Sequence, residues 1–231
     1  MLKKETVSCN HCQAAEFCLP VGINPIDMSR LEHLVKRRFT LKKGAHLFRQ
    51  SDPFSAVYAI QSGSFKSYSD TSDGREQIRG FYFLGELLGV EAMGTKVFPF
   101  SAQALEESQV CEVPYEALLT LSADIPELQR RVFHLMGESA SMGGNVALNA
   151  SATERLARFL LTLSSRLKCR GSDSLVITLP MTRQEIGNYL GLAIETVSRL
   201  FSSFQESGVL VVNGRTISLL KLRELQRLAC Q

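Results

Sequence analysis

The chain has 231 residues, 45% of them hydrophobic and 21% charged, with a net charge of +3 and six cysteines. This length holds one large domain or two modest ones, and the composition is that of a globular protein. Glu86 and Glu91 interrupt the most apolar stretch, around 81–93, and no apolar signal core precedes the first cysteines. A membrane span is therefore not expected, and a cytoplasmic protein with reduced thiols is.

The first feature in chain order is C-N-H-C-Q-A-A-E-F-C, which sets Cys9, Cys12 and Cys18 within ten residues, with Pro20 just beyond. Thiols at this spacing can turn toward one metal centre, but closed zinc and iron–sulfur sites take four ligands. The fourth must come from Cys111, Cys169 or Cys230, or from a group other than sulfur. The spacing also leaves the metal open. His11, inside the run, reads as an exposed loop residue, and His33, His46 and His134 share no ligand spacing.

Residues 24–38 read as a short helix. From about 21 to 114, short apolar runs alternate with turn signals such as Lys43-Gly44, Ser51-Asp52-Pro53, Ser62-Gly63 and Ser72-Asp73-Gly74. Segments 56–60 and 109–113 look like strands, 70–77 like a polar hairpin tip, and the whole like a β-roll or jelly roll. From about 115 to 150, Leu118, Leu121, Leu128, Val132, Leu135 and Met136 recur at helical intervals and predict a long connecting helix. Its end, 137–151, holds three glycines, each of which costs a helix interior roughly 0.5–1 kcal/mol against alanine.

Residues 151–231 carry eleven Lys/Arg against six Asp/Glu, while 1–150 carry fifteen against seventeen, so only the C-terminal part suits a polyanion. A helix is expected over 152–167, and a hairpin over 209–220 that turns at Asn213-Gly214. Between them, Thr182-Arg183-Gln184-Glu185 reads as a capping box opening a helix Arg183–Leu190, which Gly191 stops; a second helix covers 193–206 and ends at Gly208. Two short helices across a glycine turn, followed by a hairpin, make a winged helix-turn-helix. Ile186, Leu190, Leu192, Val197, Leu200 and Phe201 would lock the pair. Glu195, Ser198 and Arg199 face outward with chemistry suited to base edges in a major groove. No catalytic pairing, G-x-S-x-G or phosphate-binding glycine loop occurs, so an enzyme is not expected.

Taken together, several motifs resemble the fumarate and nitrate reduction regulator (FNR) branch of the CRP–FNR superfamily of bacterial transcription regulators, nearly end to end. They are C-x2-C-x5-C with Pro20, Ala59-Ile60-Gln61-Ser62-Gly63, Gln103-Ala104-Leu105-Glu106 leading to Val110-Cys111-Glu112, Met181-Thr182-Arg183, Ile186-Gly187-Asn188-Tyr189-Leu190-Gly191 and Glu195-Thr196-Val197-Ser198-Arg199-Leu200. The resemblance implies an α+β chain. A cysteine-rich segment (1–20) precedes a cyclic-nucleotide-binding-like β-roll sensor domain (21–115), a long dimerisation helix (116–150) and a winged helix-turn-helix DNA-binding domain (151–231). It implies that Cys9, Cys12, Cys18 and Cys111 hold one oxygen-labile 4Fe-4S cluster per subunit. Cys169 is then a small buried residue and Cys230 a tail thiol. The intact cluster would favour a homodimer that binds double-stranded promoter DNA at a TTGAT-N4-ATCAA-like palindrome, mainly to activate anaerobic genes. Thr182 and Arg183 join Glu195, Ser198 and Arg199 as DNA-binding residues. RNA polymerase is the implied partner, with residues 84–90 as its contact surface.

Gly85-Glu86-Leu87 matches the cassette with which cyclic-nucleotide sensors hold phosphate, but Phe100-Ser101 stands where those sensors carry Arg-Ser. A buried phosphate needs that guanidinium, so cyclic nucleotide binding is not expected. A zinc-stabilised or thiol-redox DNA-binding regulator without a cluster is the reading that the residues alone leave open.

Overall fold

The computed structural model describes residues 8–71, 74–143, 150–169, 173 and 175–230. The chain divides into two units, Met1–Gly143 and Gly144–Gln231. In the first unit, Asn24 caps helix α1 (Pro25–Leu34) by accepting from the amides of Ile26 and Asp27, with Pro25 pre-set for the first turn. The helix ends short of the expected 38 because Val35 is already extended. Eight strands follow: β1 (Arg37–Leu41), β2 (His46–Phe48), β3 (Ala56–Ser62), β4 (Phe65–Asp70), β5 (Glu76–Tyr82), β6 (Leu87–Leu88), β7 (Ser101–Ala104) and β8 (Ser108–Pro114). They pair antiparallel as two four-stranded sheets, β1-β8-β3-β6 and β2-β7-β4-β5.

The strand pleat sorts the residues of the first sheet onto two faces. Ile60, Leu88 and Val110 face Phe65, Ala102 and Ala104 of the second sheet and form the interior of the roll. Val57, Ala59, Cys111 and Val113 form the other face, which packs against Ala14, Cys18 and Leu19 of the N-terminal loop and Leu31 of α1. Two further helices, α2 (Tyr115–Asp124) and α3 (Pro126–Gly143), cover the same face with Leu118, Leu121, Leu128 and Leu135.

Two expectations for this unit need correction, and a third falls partly outside the described residues. The single long helix is two, because Pro126 disfavours helical geometry at Ile125, which sits extended at φ −119°, ψ 98°. The 84–90 stretch is not a surface: β6 pairs with β3, and Glu86, Leu87, Leu88 and Val90 are buried, so it offers no face to a polymerase. Of the glycine-rich 137–151 stretch, α3 continues through Gly137 to Gly143, while 144–149 lie outside the described residues.

The second unit opens with α4 (Ala152–Lys168), started by a complete capping box between Ser151 and Glu154. It continues through β9 (Val176–Thr178), α5 (Arg183–Leu190), α6 (Ile194–Glu206), β10 (Leu210–Asn213), β11 (Thr216–Leu219) and α7 (Leu222–Leu228). The two-helix motif lies where its caps predict. The wing is larger than expected, since β9 joins β11 to make a three-stranded sheet. Its tight turn centres on Gly214-Arg215, one residue later than predicted, because Asn213 and Thr216 pair as the last rung and Gly214 takes φ +59°. Glycine at the first central position is what a type II′ turn requires. Cys169, expected to be buried, caps the C-terminus of α4 and is exposed, beyond the last turn that packs inward. Among the described residues no helix is long and apolar enough to cross a membrane.

Gly187 fixes the crossing of α5 and α6. A Cβ there would lie 2.6 Å from the Leu192 carbonyl oxygen, which is backbone and cannot swing away. Gly187→Ala is predicted to lower the stability of this unit by about 1–3 kcal/mol, the usual cost of overpacking; urea unfolding monitored on the Gly144–Gln231 unit within the full chain checks this.

Candidate functional site

The N-terminal loop is a chain of tight turns. Cys12 N–H donates to the Cys9 carbonyl, Ala15 to Cys12, Phe17 to Ala14, Val21 to Cys18 and Ile23 to Pro20, at 3.0–3.4 Å. These turns keep the three thiols close, and buried Ala14 and Leu19 anchor the loop on the sheet. Cys9 N–H also donates to Glu32 Oε1 of α1 at 2.6 Å. At the far side, Gly85 (φ +80°) faces Phe17, and a Cβ on Gly85 would meet the Phe17 Cβ at 2.7 Å. The glycine of the nucleotide-cassette motif thus makes room for the cysteine loop, while Glu86 turns inward and accepts from Phe83 N–H. Phe100 is buried in the roll near Phe48, with ring centroids 6.4 Å apart, and supplies no cation there.

Cys9, Cys12, Cys18 and Cys111 all line one cavity with about 430 Å³ of unfilled space, part of it open to solvent. Antiparallel register explains how Cys111 reaches it. Arg38 of β1, Cys111 of β8 and Ala59 of β3 are direct neighbours across three strands, and all three border the cavity. The small Ala59 side chain leaves space beside the sulfur. Cys169 and Cys230 belong to the second unit and are exposed. Among the described residues, no three His, Cys, Asp or Glu side chains are gathered as a single-ion site.

Burial governs their chemistry. It pushes the Cys9 thiol up to about 12, helped by the neighbouring Cys111, Glu32 and Cys12, and opposed by the Arg38 charge. Cys18 is likewise raised to about 12 by burial, against a backbone hydrogen bond from Leu19. Cys111 is also raised by burial, less the hydrogen bond and charge of Arg38. Buried thiolates without a cation would leave uncompensated charge in apolar surroundings. Without a cation, Cys9, Cys18 and Cys111 therefore hold their protons; a bound metal would have to replace them. The Arg38 Nε, buried with no hydrogen-bond partner, has an uncommitted donor at the same place. An all-sulfur donor set with a buried, unpaired cationic donor fits an anionic thiolate-ligated group such as an iron–sulfur cluster. Sequence reasoning missed Arg38, because only the strand register brings it beside Cys111.

In the second unit, the Thr182–Glu185 box closes as expected: Glu185 N–H donates to Thr182 Oγ1 at 3.1 Å and Thr182 N–H to Glu185 Oε2 at 2.8 Å. Gly191 ends α5 at φ +66°, and Leu192 N–H donates back to the Gly187 carbonyl. Ile186, Leu190, Val197 and Phe201 are buried between the helices, while Leu192 and Leu200 are half-buried. Glu195, Ser198 and Arg199 are all exposed on α6. Thr182 is exposed too, with its hydroxyl engaged in the cap. Arg183 is half-buried: its guanidinium lies over the Phe201 ring, 3.3 Å from the centroid, and burial lowers its affinity for the proton. It packs α5 on α6, leaving Nη1 without a protein partner.

The comparisons with known proteins agree with these two halves. A cyclic nucleotide-binding domain profile matches residues 38–124, and a Crp-like helix-turn-helix domain profile matches 154–228. The chain is 45% identical to the transcriptional activator protein anr of Pseudomonas aeruginosa, over 96% of this chain and 92% of that one. It is 40% identical to the fumarate and nitrate reduction regulatory protein of Escherichia coli K12, over 96% and 90%. Among solved structures, FixK2 from Bradyrhizobium japonicum matches with a TM-score of 0.74 at 30% identity, over 83% of this chain and 96% of that one.

The thiol pocket predicts a pH dependence. Cys9 and Cys18 bind their protons more tightly folded than at the ordinary thiol value of 9.0. Folded pKa values above the unfolded ones stabilise below the unfolded value, and that contribution is lost as pH rises toward the folded one. The metal-free protein should therefore lose stability between pH 9 and about 12, and Cys18→Ala should flatten that decline. Thermal unfolding across this window checks both.

Proposed function

We propose that this chain, a DNA-binding transcription regulator that belongs to the FNR branch of the CRP–FNR superfamily, senses oxygen through a 4Fe-4S cluster held by Cys9, Cys12, Cys18 and Cys111. The observation that carries this reading is the meeting of loop and strand thiols at one cavity, beside the unpartnered Arg38 Nε. When bound, the cluster supplies an oxygen-labile cross-link between the loop and β8.

The residues of the chain convert that link into an output. With the thiols committed, the loop is held on the face of the sheet that also carries α2 and α3. When they are released, they take back protons, and the loop keeps only its hydrogen bonds and apolar contacts. A ligand that favours one conformer shifts the population by its differential binding energy, and its loss reverses the shift. On α3, Leu128 and Leu135 point inward while the Phe133 ring is 64% exposed, an apolar group that a second subunit would cover. In a homodimer, two copies of α6 would meet half-sites about 34–36 Å apart, as a TTGAT-N4-ATCAA-like palindrome presents them. Glu195, Ser198 and Arg199 then face base edges, with Arg199 suited to guanine and Glu195 to cytosine. Activation further calls for RNA polymerase, which must meet a surface other than 84–90. With a buried Phe100 in place of a cation, cyclic nucleotide has no part in this reading.

Cys111→Ser tests it directly. Purified without oxygen, this variant should hold little iron, and its affinity for the palindromic duplex should fall by roughly 5–150-fold, the usual span of allosteric coupling. Retained iron with undiminished binding in anaerobic titrations would remove Cys111 from the site.

A further inference from the structure

One contact ties the cysteine loop to α3 independently of the thiols. Arg131, on α3, donates Nε to the Cys18 carbonyl oxygen at 2.9 Å and Nη2 to the Phe17 carbonyl oxygen. The two acceptors are consecutive peptide oxygens at the end of the loop that bears the third thiol. A guanidinium holds two such acceptors as a planar fork, which fixes direction as well as distance. The contact is flanked by apolar packing in the same cluster: Leu128, Val132 and Leu135 of α3 lie with Cys18 and Leu19 of the loop. Phe17 itself is confined on its other side by the Gly85 turn.

From this geometry we infer that Arg131 is the positioning residue through which the state of the cysteine loop reaches α3. This inference rests on the oxygen-sensing reading for its purpose, but not for its geometry. While the loop is seated, the fork orients α3 at the turn preceding Phe133. When the loop lifts, Arg131 loses both acceptors at once and the apolar stripe beside it loses its cover. Both changes bear on the helix that carries the exposed ring. The signal needs no path through the roll, because the residue carrying the third thiol also supplies one of the carbonyls.

The test uses the full chain with Arg131→Gln and Arg131→Lys. In metal-free protein, hydrogen exchange should quicken in Arg131→Gln both at the loop amides of Val21 and Ile23 and along α3, by roughly tenfold for the loss of a charge-assisted bond. Arg131→Lys, which keeps the charge and loses the fork, should fall between. Unchanged α3 exchange in Arg131→Gln would overturn the inference, whatever the metal content. In anaerobic protein, iron and sulfide content and dimer dissociation are then measured before and after air. Arg131→Gln should retain iron while its dimerisation responds less to air than that of the wild type; an equal response with iron retained also overturns it. A wild type that holds no iron would instead contradict the oxygen-sensing reading, while the exchange data still decide the role of Arg131.

Discussion

The alternation of side chains along β8 is the constraint from which the sensor half follows. Val110 points into the roll and Cys111 out of it, because successive residues of a strand face opposite ways. A slip of one residue would bury the thiol among Ile60 and Phe65 and take it away from the loop. The pairing with β1 and β3 fixes that register over five and six rungs respectively, and with it sets Arg38 and Ala59 on either side of Cys111. The same outer face receives α1, α2 and α3, so the thiol cavity and the helices share one apolar layer. The proposed sensing site and the helices that would answer it are therefore neighbours in the packing.

Electrostatics makes the layer conditional. Neutral thiols cost little to bury, whereas the ionised set needs a cation and hydrogen bonds to be stable there. The raised affinities of Cys9, Cys18 and Cys111 for protons and the unpaired Arg38 Nε describe the same site from two sides. It is unfavourable to ionise without a metal, and it has a donor ready once ionised. In the proposed function, binding a metal-containing group seats the loop and losing the group returns the site to protonated thiols, so that the loop acts as a clasp whose closure depends on what it holds.

The helix-turn-helix was legible in the sequence almost residue by residue, because its signals are local. The Thr182–Glu185 box, Gly191 and Gly208 act on their immediate neighbours and need no tertiary context. The roll was legible as a class, through its spacing of strands and turns. What escaped depended on distant contacts or on competition between neighbours. Arg38 becomes part of the site only through pairing with Cys111. Cys169 reads by residue type as a small buried side chain, yet it stands beside Lys168, past the last inward turn of α4. Residues 84–90 are rich in leucine and glycine, and the structure spends them on the edge of a sheet and not on a surface. The break at Ile125 was readable in Pro126, and the periodicity of the leucines on both sides obscured it.

The central claim is that the cavity holds a cluster and not a single ion. Its most direct measurement is the iron, acid-labile sulfide and zinc content of the wild-type chain purified without oxygen, read together with its visible spectrum before and after air. The account predicts iron and sulfide in the equal amounts of a 4Fe-4S cluster, with a brown absorbance that air bleaches. A colourless protein carrying zinc and no sulfide would contradict it.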